Sequence, residues 1–163
     1  MTVGRVDDVA YVDDSKATNA HAASASLAAF EPGSVVWVAG GLAKGAEFDD
    51  LVRERRDRLR GVVLLGVDRA PLRDALARHA PDVPVFEVDA GDTEPVMDRA
   101  VTAARRLAAG APQGVPVTVL LAPACASMDQ FTSYAARGDA FAAAVHRLRG
   151  DDAGQERRAD GAP

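Results

Sequence analysis

Lysine is rare in this chain, and both lysines lie in short polar loops that follow apolar runs. The basic residues are 17 arginines and two lysines, Lys16 and Lys44. An ammonium is a compact point charge, whereas a guanidinium is a planar fork, so the two groups are not interchangeable. Phosphate and carboxylate sites often use such point charges. Chance usage is the alternative, but the lysines are the first candidates for contacts with an anionic small molecule.

Three loops combine small residues with hydroxyl, amide and charged side chains. They span residues 13–19, 40–45 and 123–131. Each follows an apolar run that predicts a strand. In a parallel sheet their carboxyl ends share one edge, which is where ligands bind in such folds. The combination of lysines, hydroxyls and backbone N–H groups suits an anionic ligand.

Local structural roles compete with binding at each of these positions. Asp14, Ser15 and Thr18 are also suitable helix caps, and Thr18 or Asn19 is the predicted cap of the first helix. The glycine pair at 40–41 could form only a tight turn. We predict that a serine in the third loop, at position 127, is the N-cap of the last helix and leaves that helix's first N–H groups open to a ligand.

Other chemically capable side chains carry weaker signals. Cys125 has no histidine close in sequence, and we predict a small buried residue. The patterns around His21, His79 and His146 favour surface or packing roles. Trp37 is a predicted core residue.

Strand and helix signals alternate along the chain. Apolar runs predict strands at residues 9–12, 34–39, 61–67, 84–88 and 116–121. Helices are predicted at 20–30, 47–60, 70–79, 93–109, with a cap at Asp92 or Thr93, and 128–148, interrupted near 137–138. This spacing predicts an α/β fold, a Rossmann-like doubly wound, mostly parallel sheet of about six strands with helices on both faces.

Composition limits the function classes. The 163 residues fit one domain at 1–149, followed by a polar tail at 150–163 that we expect to be disordered. A net charge of -5 argues against nucleic acid and anionic membranes as partners. The single cysteine allows no internal disulfide and gives no metal-ligand spacing. No run approaches a membrane span, so we expect a cytoplasmic location.

Three motifs resemble the C-terminal domain of Mur ligases, in the form of the branch that adds D-glutamate. Residues 12–19, Val-Asp-Asp-Ser-Lys-Ala-Thr-Asn, resemble the first motif. Residues 38–48 resemble the second, and 121–131 with 137–141 the third. The resemblance covers about residues 4–148, with the motifs in the family's order. Ala122 stands where serine is common, and Tyr134 where phenylalanine is expected.

The resemblance implies an ATP-dependent ligase that forms an amide through an acyl phosphate. The reaction would add D-glutamate to UDP-N-acetylmuramoyl-L-alanine during peptidoglycan precursor synthesis, which serves cell wall biogenesis, cell shape and division. By motif position, the residues implied to contact D-glutamate are Thr18, Lys44, Ser127, Tyr134 and, through its backbone N–H, Met128. The residues implied to face the nucleotide are Asp14, Lys16 and Asn19, and the supporting loop residues are Ser15, Gly40 and Gly41.

The chain contains no phosphate-binding loop of the form Gly-x-x-x-x-Gly-Lys-Ser/Thr. We therefore expect ATP and Mg²⁺ to bind mainly to a separate central domain, and the UDP-sugar to an N-terminal one. This chain would require no cofactor of its own, would hold no metal, and would be inactive alone.

Three alternatives remain open from the sequence. A Mur ligase domain could serve an enzyme that adds a different amino acid. A receiver-type signalling domain would use Asp13, Asp14 and Asp68, although the fifth strand ends without the lysine such a pocket needs. The chain could also be a stand-alone binding module.

Overall fold

A six-stranded sheet organises the protein in this computed structural model, which describes residues 1–89 and 95–159. The described strands are β1 (Thr2–Val6), β2 (Val9–Asp13), β3 (Val35–Gly40), β4 (Leu59–Leu65), β5 (Val85–Glu87) and β6 (Thr118–Leu121). Their spatial order is β1-β2-β6-β3-β4-β5. Every neighbouring pair is parallel except β1 and β2. The predicted mostly parallel α/β sheet is confirmed.

Strand β1 is the one strand that the apolar runs did not locate. It pairs with β2 through a tight turn in which Asp7 and Asp8 have positive φ values of 50° and 64°. Its middle residue, Gly4, lies against a helix: a Cβ there would be 3.0 Å from Val145 Cγ1. Glycine inside a strand often marks such a close approach, and it also weakens the apolar signal by which strands are recognised.

The described helices alternate with the strands. They are α1 (Ala20–Ala28), α2 (Asp49–Arg55, followed by a 3₁₀ turn at Arg56–Arg58), α3 (Ala70–His79), α4 (Val96–Ala109) and α5 (Tyr134–Ala159). The helix predicted at 47–60 is shorter, because β4 already begins at Leu59. The cap predicted at Asp92 or Thr93 lies outside the described residues.

Helix α5 differs most from its prediction at its start. It begins at Tyr134, not at 128, and the Ser133 hydroxyl accepts a hydrogen bond from Ala136 N at 3.0 Å. The prediction that Ser127 caps this helix is therefore wrong. The helix also continues through Gly138 without a break. Packing explains the glycine at this position, because a Cβ there would lie 2.6 Å from Asp13 Oδ2.

The far end of α5 also departs from the expected disordered tail. The helix runs through the described residues 150–159. Arg105 on α4 donates to Asp152 on this segment at 2.8 Å, and it donates to Asp7 in the β1–β2 turn at 2.6 Å. A guanidinium between two carboxylates ties this extension to the body of the domain.

Two hydrophobic cores lie on opposite faces of the sheet. The residues of β3 alternate between them: Trp37 faces the core formed with α1, α2 and α3, and Val38 the core formed with α4 and α5. Trp37 is fully buried, as predicted, and its indole N–H donates to Ala122 O at 2.7 Å. Each fully buried large side chain contributes about 1.5–3 kcal/mol, so β3 is a rigid base for the loop that follows it. Within the described ranges, no helix is long and apolar enough to cross a membrane.

Candidate functional site

The three predicted loops meet at one edge of the sheet. Strands β2, β6 and β3 are parallel neighbours, so their carboxyl ends lie side by side. Asp14 N donates to Leu121 O at 2.8 Å, which joins the loop after β2 to the end of β6. Ala124 N donates to Ala17 O at 2.8 Å, which joins the same two loops further out. The prediction that these loops share an edge is confirmed.

The loop after β6 also pairs with the loop after β3. Leu42 and Ala126 form an antiparallel bridge, with N–O distances of 2.9 and 3.2 Å in the two directions. Lys44 lies two residues beyond Leu42, and Ser127 directly follows Ala126. The backbone pairing therefore brings these two predicted contacts of an anionic ligand onto adjoining segments.

Gly40 and Gly41 permit this close packing of backbones. Gly40 has a φ of 120°, and a Cβ there would lie 1.9 Å from Leu65 O. Gly41 has a φ of 148°, and its Cβ would lie 2.2 Å from Ala126 O. Neither position can accept a side chain without moving backbone. The pair does more than form a turn, because it lets the β3, β4 and β6 ends touch.

Both lysines are exposed at this edge. Lys16 follows β2 and Lys44 follows β3, and neither side chain forms an ion pair or hydrogen bond with any described residue. Lys44 has a φ of 52°, in the left-handed region, and Gly45 continues the turn with a φ of 75°. A strained backbone at a charged position is a frequent feature of ligand-binding loops.

The polar groups of the loop after β2 are of two kinds: some form hydrogen bonds within the domain, and others have no described partner. Asn19 is the helix cap: its Oδ1 accepts from Ala22 N at 2.8 Å. Ser15 is buried, and its N–H donates to Asp13 Oδ1 at 2.8 Å. Thr18 is half-buried, and no described hydrogen bond uses its hydroxyl. The Asp14 carboxylate likewise has no described partner.

The predicted contacts that follow β6 differ in exposure. Ser127 is 6% exposed, whereas Met128 is 69% and Tyr134 46% exposed. Tyr134 begins α5, so the helix N-terminus lies seven residues beyond Ser127 along the chain. The predicted link between Ser127 and the first N–H groups of this helix is therefore wrong.

Sequence reasoning missed Arg137 as a functional candidate. This residue is fully buried in the first turn of α5. Its Nη2 donates to Cys125 O at 3.0 Å and its Nη1 to Gly40 O at 3.4 Å. Burial lowers the pKa of this guanidinium, an effect that the Asp129 and Asp13 carboxylates oppose. The signal in the sequence is the Arg137-Gly138 pair, which belongs to the third motif and was otherwise interpreted as a helix interruption, with no role assigned to Arg137.

Asp129 and Gln130 connect the third loop to β4. Asp129 Oδ2 accepts from Val67 N at 3.1 Å, and Gln130 Oε1 accepts from Gly66 N at 3.0 Å. The four strand ends on this edge are thus linked by hydrogen bonds that the loop after β6 provides.

Cys125 is buried and free, as predicted. Burial raises the pKa of its thiol to about 12, so the thiol stays protonated at neutral pH. Among the described residues, no group of three or more His, Cys, Asp or Glu side chains could hold a metal ion. The chemistry that remains at this edge is anion binding by exposed ammonium, hydroxyl and backbone N–H groups.

A separate cavity of about 290 Å³ lies between β5 and α4. Phe86, Arg99 and Arg106 are among its lining residues, and no residue of the three loops lines it. We place the candidate site at the loop edge because the unpaired lysines and glycine-dependent backbone contacts are there.

Comparison with known proteins shows which sequences this chain is similar to. The family model described as "Mur ligase, glutamate ligase domain" matches residues 1–125. A Streptomyces avermitilis protein named UDP-N-acetylmuramoylalanine--D-glutamate ligase is 63% identical over 146 residues, covering 90% of this chain and 30% of that protein. A Thermobifida fusca protein of the same name is 60% identical over 148 residues, covering 91% and 30%.

More distant relatives bear the same name. A Mycolicibacterium smegmatis protein is 49% identical over 177 residues, covering 91% of this chain and 34% of that protein. The chain spans about three tenths of the length of the curated relatives that it matches.

Proposed function

The chain belongs to the family of Mur ligase glutamate ligase domains, and from this premise we propose that it is the D-glutamate-binding C-terminal domain of a ligase that adds D-glutamate to UDP-N-acetylmuramoyl-L-alanine. The observation that carries the proposal is the loop edge, where the chain's two lysines lie exposed and unpaired. The domain would comprise residues 1–149 together with the remainder of α5.

Charge and geometry support D-glutamate as the ligand. This amino acid carries two carboxylates and one amine. Lys44 would pair with one carboxylate through a charge-assisted hydrogen bond. The hydroxyls of Thr18 and Ser127 and the backbone N–H of Met128 would hold the other end, with Tyr134 beside them. Fixing both carboxylates leaves the amine as the free end, directed towards the group that it attacks.

The contribution of this domain would be alignment. An amine held in the correct geometry reacts as though present at a very high effective concentration. Neutralising its carboxylates would also let it approach an anionic partner.

ATP and Mg²⁺ would bind mainly to another domain and would supply the phosphoryl group that activates the acceptor carboxylate. Lys16 and Asp14 are free to face that nucleotide, since neither side chain has a described partner. Asn19 could contribute only its amide NH₂, because its Oδ1 caps α1. The fit is therefore good for Lys16 and partial for Asn19.

The 163-residue chain alone neither hydrolyses ATP nor forms the amide. Robust glutamate-dependent phosphate release from the purified chain would contradict this. The reaction takes place in the cytoplasm, where nucleotide-linked peptidoglycan precursors are made.

The experiment that tests the proposal is Lys44→Ala in a ligase that contains this chain with the remaining domains. Loss of a charged hydrogen bond should raise the KM for D-glutamate by roughly tenfold or more. The control is Arg106→Ala, which removes an exposed cation without a described partner from α4. An unchanged KM for D-glutamate in Lys44→Ala would contradict the assignment of that residue. Addition of a different amino acid by the unmodified enzyme would contradict the assigned substrate.

A further inference from the structure

Arg137 is the most completely buried charged side chain at the loop edge. It is 0% exposed and lies in the first turn of α5. Each of its two terminal nitrogens donates to a backbone carbonyl: Nη1 to Gly40 O and Nη2 to Cys125 O. It forms no ion pair with any described carboxylate.

The two carbonyls belong to different loops. Gly40 is the last residue of β3 and begins the loop that bears Lys44. Cys125 lies two residues before Ser127 in the loop after β6. A Cβ on Gly41 would be 3.1 Å from Arg137 Nη1, so the guanidinium also lies directly against the loop after β3. One planar group therefore connects the segments that carry two of the proposed glutamate contacts.

The next residue brings in the loop after β2. A Cβ on Gly138 would lie 2.6 Å from Asp13 Oδ2 and 2.7 Å from Ser15 Oγ. The N-terminal end of α5, which begins at Tyr134, thus touches the loops after β2, β3 and β6. Its position sets the relative position of these loops.

Fold stability alone does not account for an arginine here. Taking a charge out of water is costly, and well-packed apolar residues are often as stable at such positions or more so. What the arginine adds is a rigid fork that reaches two acceptors at once, which a lysine cannot reproduce. That property suits a side chain that holds two loops at a fixed separation.

We infer that Arg137 is a positioning residue that holds the Lys44 loop and the Ser127 loop as one unit in the arrangement that binds the amino-acid substrate. The inference rests on the proposed function for the identity of that substrate. The coupling of the two loops follows from the contacts alone. Arg137 need not touch the ligand.

Hydrogen exchange on the 163-residue chain tests the coupling without reference to any ligand. The probes are the amides that bond the loops together: Gly40 N to Pro123 O, Leu42 N to Ala126 O, and Ala126 N to Leu42 O. In Arg137→Lys these amides should exchange together, roughly tenfold faster than in the unmodified chain. Amides in the middle of β4 should be unaffected.

The matched control is Arg147→Lys, on the same helix. Arg147 is largely exposed and pairs with Asp98 at 2.6 Å, away from the loops. Unchanged exchange in both loops of Arg137→Lys, or faster exchange in only one of them, would overturn the inference. A second measurement covers the case in which this variant does not fold. In the unmodified chain the guanidinium protons of Arg137 should exchange slowly, and rapid exchange like that of Arg147 would likewise overturn it.

Kinetics of the ligase that contains this chain test the consequence. Arg137→Lys should raise the KM for D-glutamate roughly tenfold, with kcat and the KM for ATP changed less than about twofold. A residue needed only for folding would lower the amount of active enzyme, and hence the apparent kcat, without changing this KM. That result would overturn the positioning role.

The two experiments separate the two proposals. If the unmodified ligase does not use D-glutamate, the proposed function fails. The exchange experiment would still decide whether Arg137 couples the loops.

Discussion

The cationic side chains at the loop edge differ in their partners from several of those elsewhere on this molecule. Away from the edge, several arginines form ion pairs with carboxylates, among them Arg105 with Asp7 and Asp152, and Arg147 with Asp98, although exposed Arg106 on α4 has no described partner. At the edge, the side chains of Lys16 and Lys44 are exposed and have no described partner. An ion pair within the domain contributes to its architecture, whereas an unpaired ammonium remains available to a ligand. Arg105 and Arg147 therefore hold parts of the fold together, whereas the ammonium groups of Lys16 and Lys44 remain available for binding.

The backbone shows a related contrast within one loop. Gly40 and Gly45 both have positive φ values, 120° and 75°. A Cβ on Gly40 would collide with Leu65 O, whereas nothing lies within 4 Å of a Cβ on Gly45. One glycine is required by packing as well as by conformation, and the other by conformation alone.

The largest effect expected from this contrast is on stability. Gly40→Ala should lower the free energy of unfolding by roughly 3 kcal/mol or more, because backbone of β3 or β4 must move. Gly45→Ala should cost only about 1 kcal/mol, the strain of a left-handed alanine. Urea unfolding of the two variants measures both values. Equal losses would contradict the close approach of the β3 and β4 ends.

A smaller, pH-dependent effect on stability is expected for Asp49, a hydrogen-bonded carboxylate away from the loop edge. Asp49, at the start of α2, accepts from His79 Nε2 at 2.7 Å and from Arg78 Nε at 3.0 Å. These hydrogen bonds, that of His79 first, lower the pKa of the Asp49 carboxyl below its ordinary value of 3.8. The folded state therefore favours the carboxylate, and its contribution to stability is present above the ordinary pKa and lost as pH falls through the lowered one.

Asp49→Asn should accordingly be less stable than the unmodified chain at neutral pH. The two stabilities should converge as the solution is made acidic enough to protonate Asp49 in the folded chain. Urea midpoints measured across that range provide the comparison. A difference that stays constant down to the lowest pH would contradict the pairing. D-glutamate binding at neutral pH should be the same in both proteins, because Asp49 lies at the start of α2, outside the three loops of the edge.

The parts of the site that follow from strand order could be predicted. Parallel apolar strands place their carboxyl ends together, so the shared edge of the Lys16 and Lys44 loops was available from the sequence. The fold class was available for the same reason. Local rules did not identify which serine caps α5, because Ser127 and Ser133 are equally suitable in composition and only the tertiary fold selects between them.

Long-range contacts account for the remaining differences. Gly138 was interpreted as a helix breaker, but it is there because α5 passes close to Asp13 and Ser15. The extension of α5 depends on Arg105, which lies 47 residues before Asp152 in the chain. The role of Arg137 depends on two carbonyls whose positions only the folded backbone defines. Sequence periodicity carries no information about such pairs.

The most direct test of the central claim is a titration of the isotopically labelled chain with D-glutamate, followed by NMR. The account predicts amide shift changes in the loops at 13–19, 40–45 and 122–134, and weaker changes with L-glutamate. The Lys44→Ala chain should show much smaller changes with D-glutamate at the same concentrations. No shift changes up to high ligand concentration, or changes centred on the cavity between β5 and α4, would contradict the claim that the loop edge binds this amino acid.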